Sequence, residues 1–286
     1  MQAAPNSRYL SPALEAIDNL LSLKNYSPNT RKNYRNWFIL FLQSFPGRKP
    51  SGITQDEVMQ FLVRFRQSPR WSASSQNQVI SAIKFFYEQV LNRPKEVYEL
   101  PRAQKPNQLP SVFSVEEIKA MLTACENLKH KTILCMAYAG GLRVSEIVQL
   151  KIKDVDSKRM VLNIRQAKGL KDRQTMLSAK LLLLFREYYK EYKPNVWLFE
   201  GQYGGQYSTR SVQLVLENIK TKARITRKGS IHALRHSFAT HLFEGGTDIL
   251  SIKELLGHQS IRTTMIYTHV STKHISQIQS PLDKLL

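Results

Sequence analysis

Tyr34, Trp37, Phe38, Phe41, Leu42 and Phe45 recur at intervals of three, one, three, one and three, which is the apolar stripe of an amphipathic helix. Ser27 offers an N-cap for that helix, and Pro28 suits its first turn, where the missing amide hydrogen has no partner to lose. Arg31, Lys32 and Arg35 fall to one side of the stripe. A second helix is expected over Ile53 to Phe65, opened by Thr54 with Glu57 three positions on, the pattern of a capping box. A third is marked by Val79, Ile80, Ile83, Phe86, Tyr87 and Val90 and stops near Arg93-Pro94. The first hundred residues therefore read as helices alone.

Between Leu100 and Pro110 the chain has three prolines and few apolar residues, an extended segment by its restricted backbone and missing donors. This predicts an N-terminal helical domain over 1–100, a linker over 101–111 and a second domain over 112–286. The second begins at Ser114, a cap with Glu117 at the third position. Met160 to Ile164 and Gln174 to Leu177 read as two strands, with the polar segment Ala167 to Asp172 as their turn. Helical patterns resume over Ala179–Tyr192, Thr209–Ala223, His232–Glu244, Ile249–Leu256 and beyond. The expected fold is mainly α, with a small β-hairpin making the second domain α+β.

Charge narrows the range of partners. Lys and Arg number 42 against 22 Asp and Glu, a formal charge of +20, and both domains share the excess. A basic surface of that size suits a polyanion, of which nucleic acid is the commonest. Cys125 and Cys135 fit no disulfide or metal spacing and read as core residues of a helical stretch in a reducing compartment. The N-terminus lacks the basic and apolar regions of a signal peptide, and no apolar run reaches membrane-spanning length. A cytoplasmic, nucleoid-associated protein without a membrane partner is expected.

The candidate chemistry lies in the second domain. Arg143 follows Gly140-Gly141 near a helix start, where a guanidinium beside the helix N-terminus can grip two phosphate oxygens. Glu146, three residues on, can hold it by an ion pair. Lys168 sits on the predicted hairpin tip, with Lys171 as a competitor, and an ammonium there can protonate a leaving oxygen. His232, Arg235 and His236 share part of one helix face. The spacing of His232 and His236 also occurs in metal helices, but no Glu follows His232 and no third ligand is evident, so neither metal nor cofactor is expected. Gly257 suits a left-handed helix cap that turns His258 into a cleft. Ser260 can cap a helix that carries Tyr267, a phenol able to act as nucleophile on a phosphate.

In order and spacing, Arg143, Lys168, His232, Arg235, His258 and Tyr267 resemble the catalytic set of the tyrosine recombinase (phage integrase) family, with Xer-like wording of the motifs. The resemblance implies a two-domain DNA clamp that cuts and rejoins strands through a 3′-phosphotyrosyl link to Tyr267, releasing a 5′-hydroxyl without ATP or metal. It makes Lys168 rather than Lys171 the general acid, and it leaves His236 and His241 to structural roles. It also implies double-stranded DNA with a specific recombination site as substrate, and a homotetramer in the synaptic complex formed from protein that is monomeric off DNA. The tail residues Ile275, Ile278, Leu282 and Leu285 would then be lent to a neighbouring subunit, and Ser280-Pro281-Leu282-Asp283 is similar to integron integrases. Phosphate contacts outside the reacting set are expected from Thr30, Arg31, Lys32, Arg35, Arg210 and Lys228. A type IB topoisomerase-like enzyme and a catalytically silent DNA-binding regulator are the alternatives.

Overall fold

The computed structural model describes residues 7–94, 100–104, 109–165 and 172–271. The chain divides into two compact units, Met1–Asn107 and Gln108–Leu286. Each encloses its own apolar core.

The first unit contains only helices among its described residues: α1 (Ser7–Leu23), α2 (Pro28–Gln43), α3 (Gln55–Gln67) and α4 (Ala73–Lys84), the last running on as a π-helical turn over Phe85–Val90. The apolar stripe of α2 turns Phe38, Phe41 and Leu42 inward. They meet Phe61 and Phe65 of α3, Ile80 and Ile83 of α4, and Phe86. Ser27 accepts the Thr30 amide, and Thr54 with Glu57 forms the reciprocal capping box. The π turn is absent from the sequence reading. It brings Tyr87 into the core, where its hydroxyl donates to the Pro50 carbonyl at 2.8 Å. Helix α1 was likewise not anticipated; it buries Leu14, Ile17 and Leu21.

Both flanks of the proline-rich segment are tied down. Asn77 brackets Ala103 through two 2.9 Å hydrogen bonds to its backbone, and Leu100 is buried in the first core. On the other side Ser111 donates to the Lys228 carbonyl, and the Phe113 amide donates to Ser237 at 2.8 Å.

The second unit comprises α5 (Val115–Ala124), α6 (Leu128–Ala139), α7 (Val144–Gln149), β1 (Val155–Asp156), β2 (Val161–Ile164), β3 (Arg173–Met176), α8 (Ala179–Tyr192), α9 (Thr209–Lys222), α10 (Ile231–Glu244), α11 (Ile249–Leu256) and α12 (Ile261–Val270). Thus the described fold is mostly helical, with one small antiparallel sheet of order β1-β2-β3. The hairpin pairs Val161 with Met176 and Ile164 with Arg173. Two strands were expected and three are present. Their ends also shift: Met160 takes a left-handed φ of 56° that no strand accommodates, and Arg173 joins the ladder.

Helix α6 buries Thr132, Ile133, Leu134, Met136 and Ala137, so it is enclosed on nearly every side, against α8, α9 and α10. Helix α10 is enclosed in the same way, from Ala233 to Arg235 and from Ser237 to Thr240. That burial carries a guanidinium into the interior and decides the site described below. Among the described residues no helix is long and apolar enough to cross a membrane.

Candidate active site

Arg143 is the N-cap of α7, its backbone extended at φ −73° and ψ 151°. Glu146 reaches back to accept its amide at 2.7 Å and its Nη1 at 2.7 Å, the ion pair anticipated from the spacing. The same carboxylate has a second partner. Arg173 of β3 donates both terminal nitrogens to Glu146, at 2.7 and 2.8 Å, in a fork-to-fork pair that is buried on both sides. Burial alone would raise the Glu146 pKa; the Arg173 hydrogen bonds and the Arg143 charge instead bring it down to about 2. The carboxylate is a fixed anion around which the guanidiniums are arranged.

Arg235, only 1% exposed, donates to the Gly141 carbonyl and to the Leu256 carbonyl, each at 2.6 Å, and stands 3.8 Å from Glu146. It thereby joins the α6–α7 turn to the end of α11. The turn approaches closely because residue 141 is glycine, at φ +60°; a Cβ there would lie 2.4 Å from Phe238. Burial and the nearby Arg143 charge lower the Arg235 pKa to about 9, which leaves it cationic at neutral pH.

The imidazoles line up beside these cations. Ser230 caps α10 through the His232 amide, and His232 at the start of that helix keeps an exposed edge. Packing around the ring, then Arg235 and Arg143, lower its pKa. Gly257 takes the left-handed cap at φ +63°, and its own amide and that of His258 return to α11 carbonyls. His258 then meets Thr264 through Nδ1 at 3.0 Å. Burial and the charges of Arg235, Arg143 and Arg173 lower its pKa to about 3.

Helix α12 brings Tyr267 against the rings of His258 and His236. The phenol is 1% exposed and near-parallel to His258, at 6.4 Å between centroids and 13° between planes. Its hydroxyl lies 3.1 Å from Nδ1 of His236. Burial raises its pKa, while Arg235 and Arg143 pull the other way. At neutral pH the hydroxyl keeps its proton, so any attack by it requires a base.

Five of the six expected catalytic residues, Arg143, His232, Arg235, His258 and Tyr267, therefore fall in one cluster with Glu146. Lys168 and its competitor Lys171 lie outside the described residues, as does the C-terminal tail. Of the expected phosphate contacts, Lys32, Arg210 and Lys228 are exposed, Arg31 is half-buried, Thr30 bonds Ser27, and Arg35 pairs with Asp18 of α1. His241 pairs with Tyr138 at 3.0 Å.

Two residues escaped the sequence reading. His236 was set aside as structural, yet its Nδ1 meets the Tyr267 hydroxyl; only the fold of α12 back onto α10 reveals it. Arg173 lies between the expected turn, which ends at Asp172, and the expected strand, which begins at Gln174. Its signal was alternation: Arg173, Thr175 and Leu177 share one strand face, and Thr175 and Leu177 are buried.

A buried phenol beside clustered guanidiniums and imidazoles, on a mainly helical unit with a small sheet, describes a DNA strand-transfer enzyme. The chain belongs to the phage integrase family, as a tyrosine recombinase of the Xer type: residues 111–274 match the phage integrase family and residues 14–96 its N-terminal SAM-like domain. Among relatives, the tyrosine recombinase XerA of Pyrococcus horikoshii is 35% identical over 269 residues, covering 93% of this chain and 92% of the relative. The crystal structure of a XerA recombinase is similar at 29% identity and a TM-score of 0.56, covering 94% and 96% of the two chains. A lambda integrase tetramer bound to a Holliday junction shares the fold, with a TM-score of 0.75 at 16% identity over 92% of this chain and 78% of the other. The protein is a site-specific DNA recombinase.

Proposed function

We propose that Tyr267 is the nucleophile of this recombinase and that Arg143, His232, Arg235 and His258 bind the scissile phosphate. The observation that carries this reading is the cluster itself. Two guanidiniums anchored through Glu146 and through carbonyls of the α6–α7 turn and α11 stand beside the phenol on α12. Preorganised cations of this kind favour a phosphorane-like transition state over the ground state, because they need no reorganisation as charge develops.

In the reaction, the phenolic oxygen of Tyr267 attacks phosphorus and a 3′-phosphotyrosyl bond forms as the bond to the 5′-oxygen breaks. The phenol proton passes to an imidazole; His236 is in hydrogen-bond range in the free protein and, with its pKa lowered to about 4, is neutral there at physiological pH. The leaving 5′-oxygen takes a proton from Lys168, a role that rests on the family resemblance. A 5′-hydroxyl from a partner strand reverses these steps, so bond energy is conserved.

The two domains, with a linker around 101–111, clamp double-stranded DNA carrying a specific site. Arg31, Lys32, Arg210 and Lys228 hold phosphates, with smaller parts for Thr30 and Arg35. Four copies act together in the synapse, a reading that the lambda integrase tetramer on a Holliday junction supports, and exchange of the C-terminal tail between them rests on the family resemblance. A cytoplasmic, nucleoid-associated location follows from such a substrate.

The test is covalent capture. The chain is incubated with sheared DNA of its host, quenched in detergent, and protein-linked fragments are recovered and sequenced at their ends. A shared sequence at the linked ends is expected, and none with Tyr267→Phe. Adducts that persist in that variant would remove Tyr267 from the role.

A further inference from the structure

Arg173 belongs to no part of the reaction described above, yet its side chain makes more hydrogen bonds than either Arg143 or Arg235. It reaches Glu146 with both ends of its fork, at 2.7 and 2.8 Å, and donates Nε to the Leu255 carbonyl at 3.0 Å. Its side chain is 7% exposed. Arg235 takes the next carbonyl, that of Leu256. Two guanidiniums therefore hold consecutive carbonyls at the end of α11, where the chain turns through Gly257 into His258.

The packing beneath Arg173 is equally specific. A Cβ on Gly257 would lie 2.5 Å from Arg173 Cδ and 3.1 Å from Nε, so the bare backbone of the cap makes room for the Arg173 side chain. Through Glu146 the same residue acts on Arg143, which has one side-chain nitrogen on that carboxylate. The Arg143 amide holds the other oxygen, so each Glu146 oxygen accepts one bond from Arg143 and one from the Arg173 fork, which locks the plane that Arg143 alone would set.

We infer that Arg173 is a positioning residue for strand cleavage: it fixes the plane of Glu146 and the end of α11, so that Arg143 and His258 address one phosphate together. The inference rests on the proposed roles of Tyr267, Arg143 and His258. Arg173 also stands at the first described ladder position after the segment that carries Lys168, opposite Ile164. The strand that follows the expected general acid is thus bolted to the phosphate-binding side of the site.

The experiment measures cleavage rate and affinity separately, on a nicked suicide duplex bearing the sequence recovered by covalent capture. Arg173→Met and Arg173→Lys should each slow adduct formation about 100-fold, the scale on which small misplacements act. Lysine fails because a point charge cannot reproduce the fork. DNA affinity should stay at the unaltered level. Arg173→Met combined with Glu146→Gln should cleave no more slowly than Arg173→Met alone, because the two act as one unit. Losses that multiply in the double variant would overturn the inference. So would unaltered cleavage by Arg173→Lys, or loss of DNA affinity in step with cleavage, which would make Arg173 a residue of the fold. Absence of adduct from the unaltered chain would instead overturn the Tyr267 chemistry on which the inference rests.

Discussion

His236 and Tyr267 meet at 3.1 Å between Nδ1 and the phenolic oxygen, joining α10 to α12 across 31 positions of sequence. The contact gives the proposed nucleophile a hydrogen-bond partner in the free protein while burial keeps its proton on. Tyr267→Phe is expected to bind DNA as tightly as the unaltered chain and to form no covalent adduct. Leaving His236 without its partner should cost about 1 kcal/mol of stability. Gel shift, suicide-substrate cleavage and thermal melting check the three parts.

Arg143 has the more open of the two guanidiniums proposed to grip the phosphate, with a side chain 21% exposed against 1% for Arg235. Arg143→Ala should slow cleavage by about 100-fold or more, on the order of 3 kcal/mol of transition-state stabilisation. Affinity for the duplex should change little, because many other cations hold the backbone. Single-turnover adduct formation separates the two quantities.

Acid should weaken the second unit before carboxylates titrate. His236 and His258 have pKa values of about 4 and about 3, below the ordinary 6.5, through burial and neighbouring positive charge. The unfolded chain then binds more protons than the folded one, so this stability is intact above 6.5 and is lost as pH falls toward those values. Between pH 7 and pH 5 the loss should be about 1 kcal/mol per imidazole, because solvent screens these half-buried rings and reduces the effect of their shifts. Glu146, at about 2, adds nothing in that window, since its own loss starts below 4.5. Thermal melts at the two pH values provide the check, and His258→Gln should flatten the difference.

Gly257→Ala meets two obstacles, the φ of +63° and the Arg173 side chain. A loss of about 1–3 kcal/mol is expected, read by denaturant unfolding. Gly205→Ala is the control, because nothing lies within 4 Å of its added Cβ.

On the first unit, Arg31→Ala and Lys32→Ala should each reduce the salt dependence of DNA binding by roughly one unit of slope. Arg35→Ala should do less, since Asp18 already engages that guanidinium. Affinity measured across a salt series distinguishes them.

How much of this was legible follows from range. Caps and stripes are local, and Ser27, Thr54, Ser114 and Gly257 all act as their neighbours imply. The pairing of Arg143 with Glu146 is local too, three positions apart on one helix start. Arg173 and His236 are not: one reaches 27 positions to Glu146 and the other 31 to Tyr267, across elements whose packing no short window encodes. Helix α1 was missed although its pattern is amphipathic, because Pro12 interrupts it. The π turn is set by what Tyr87 reaches in the core.

Around Glu146 three guanidiniums face a single carboxylate, and two of them are almost wholly enclosed. Like charges confined in a poorly polarisable interior repel, so the second unit folds against a standing electrostatic load that its apolar core must outweigh. The guanidiniums proposed to serve the chemistry are also a source of repulsion within the fold. Selection for heat resistance alone, with DNA cleavage left unselected, would therefore strip arginines from this cluster before it altered a leucine of the core.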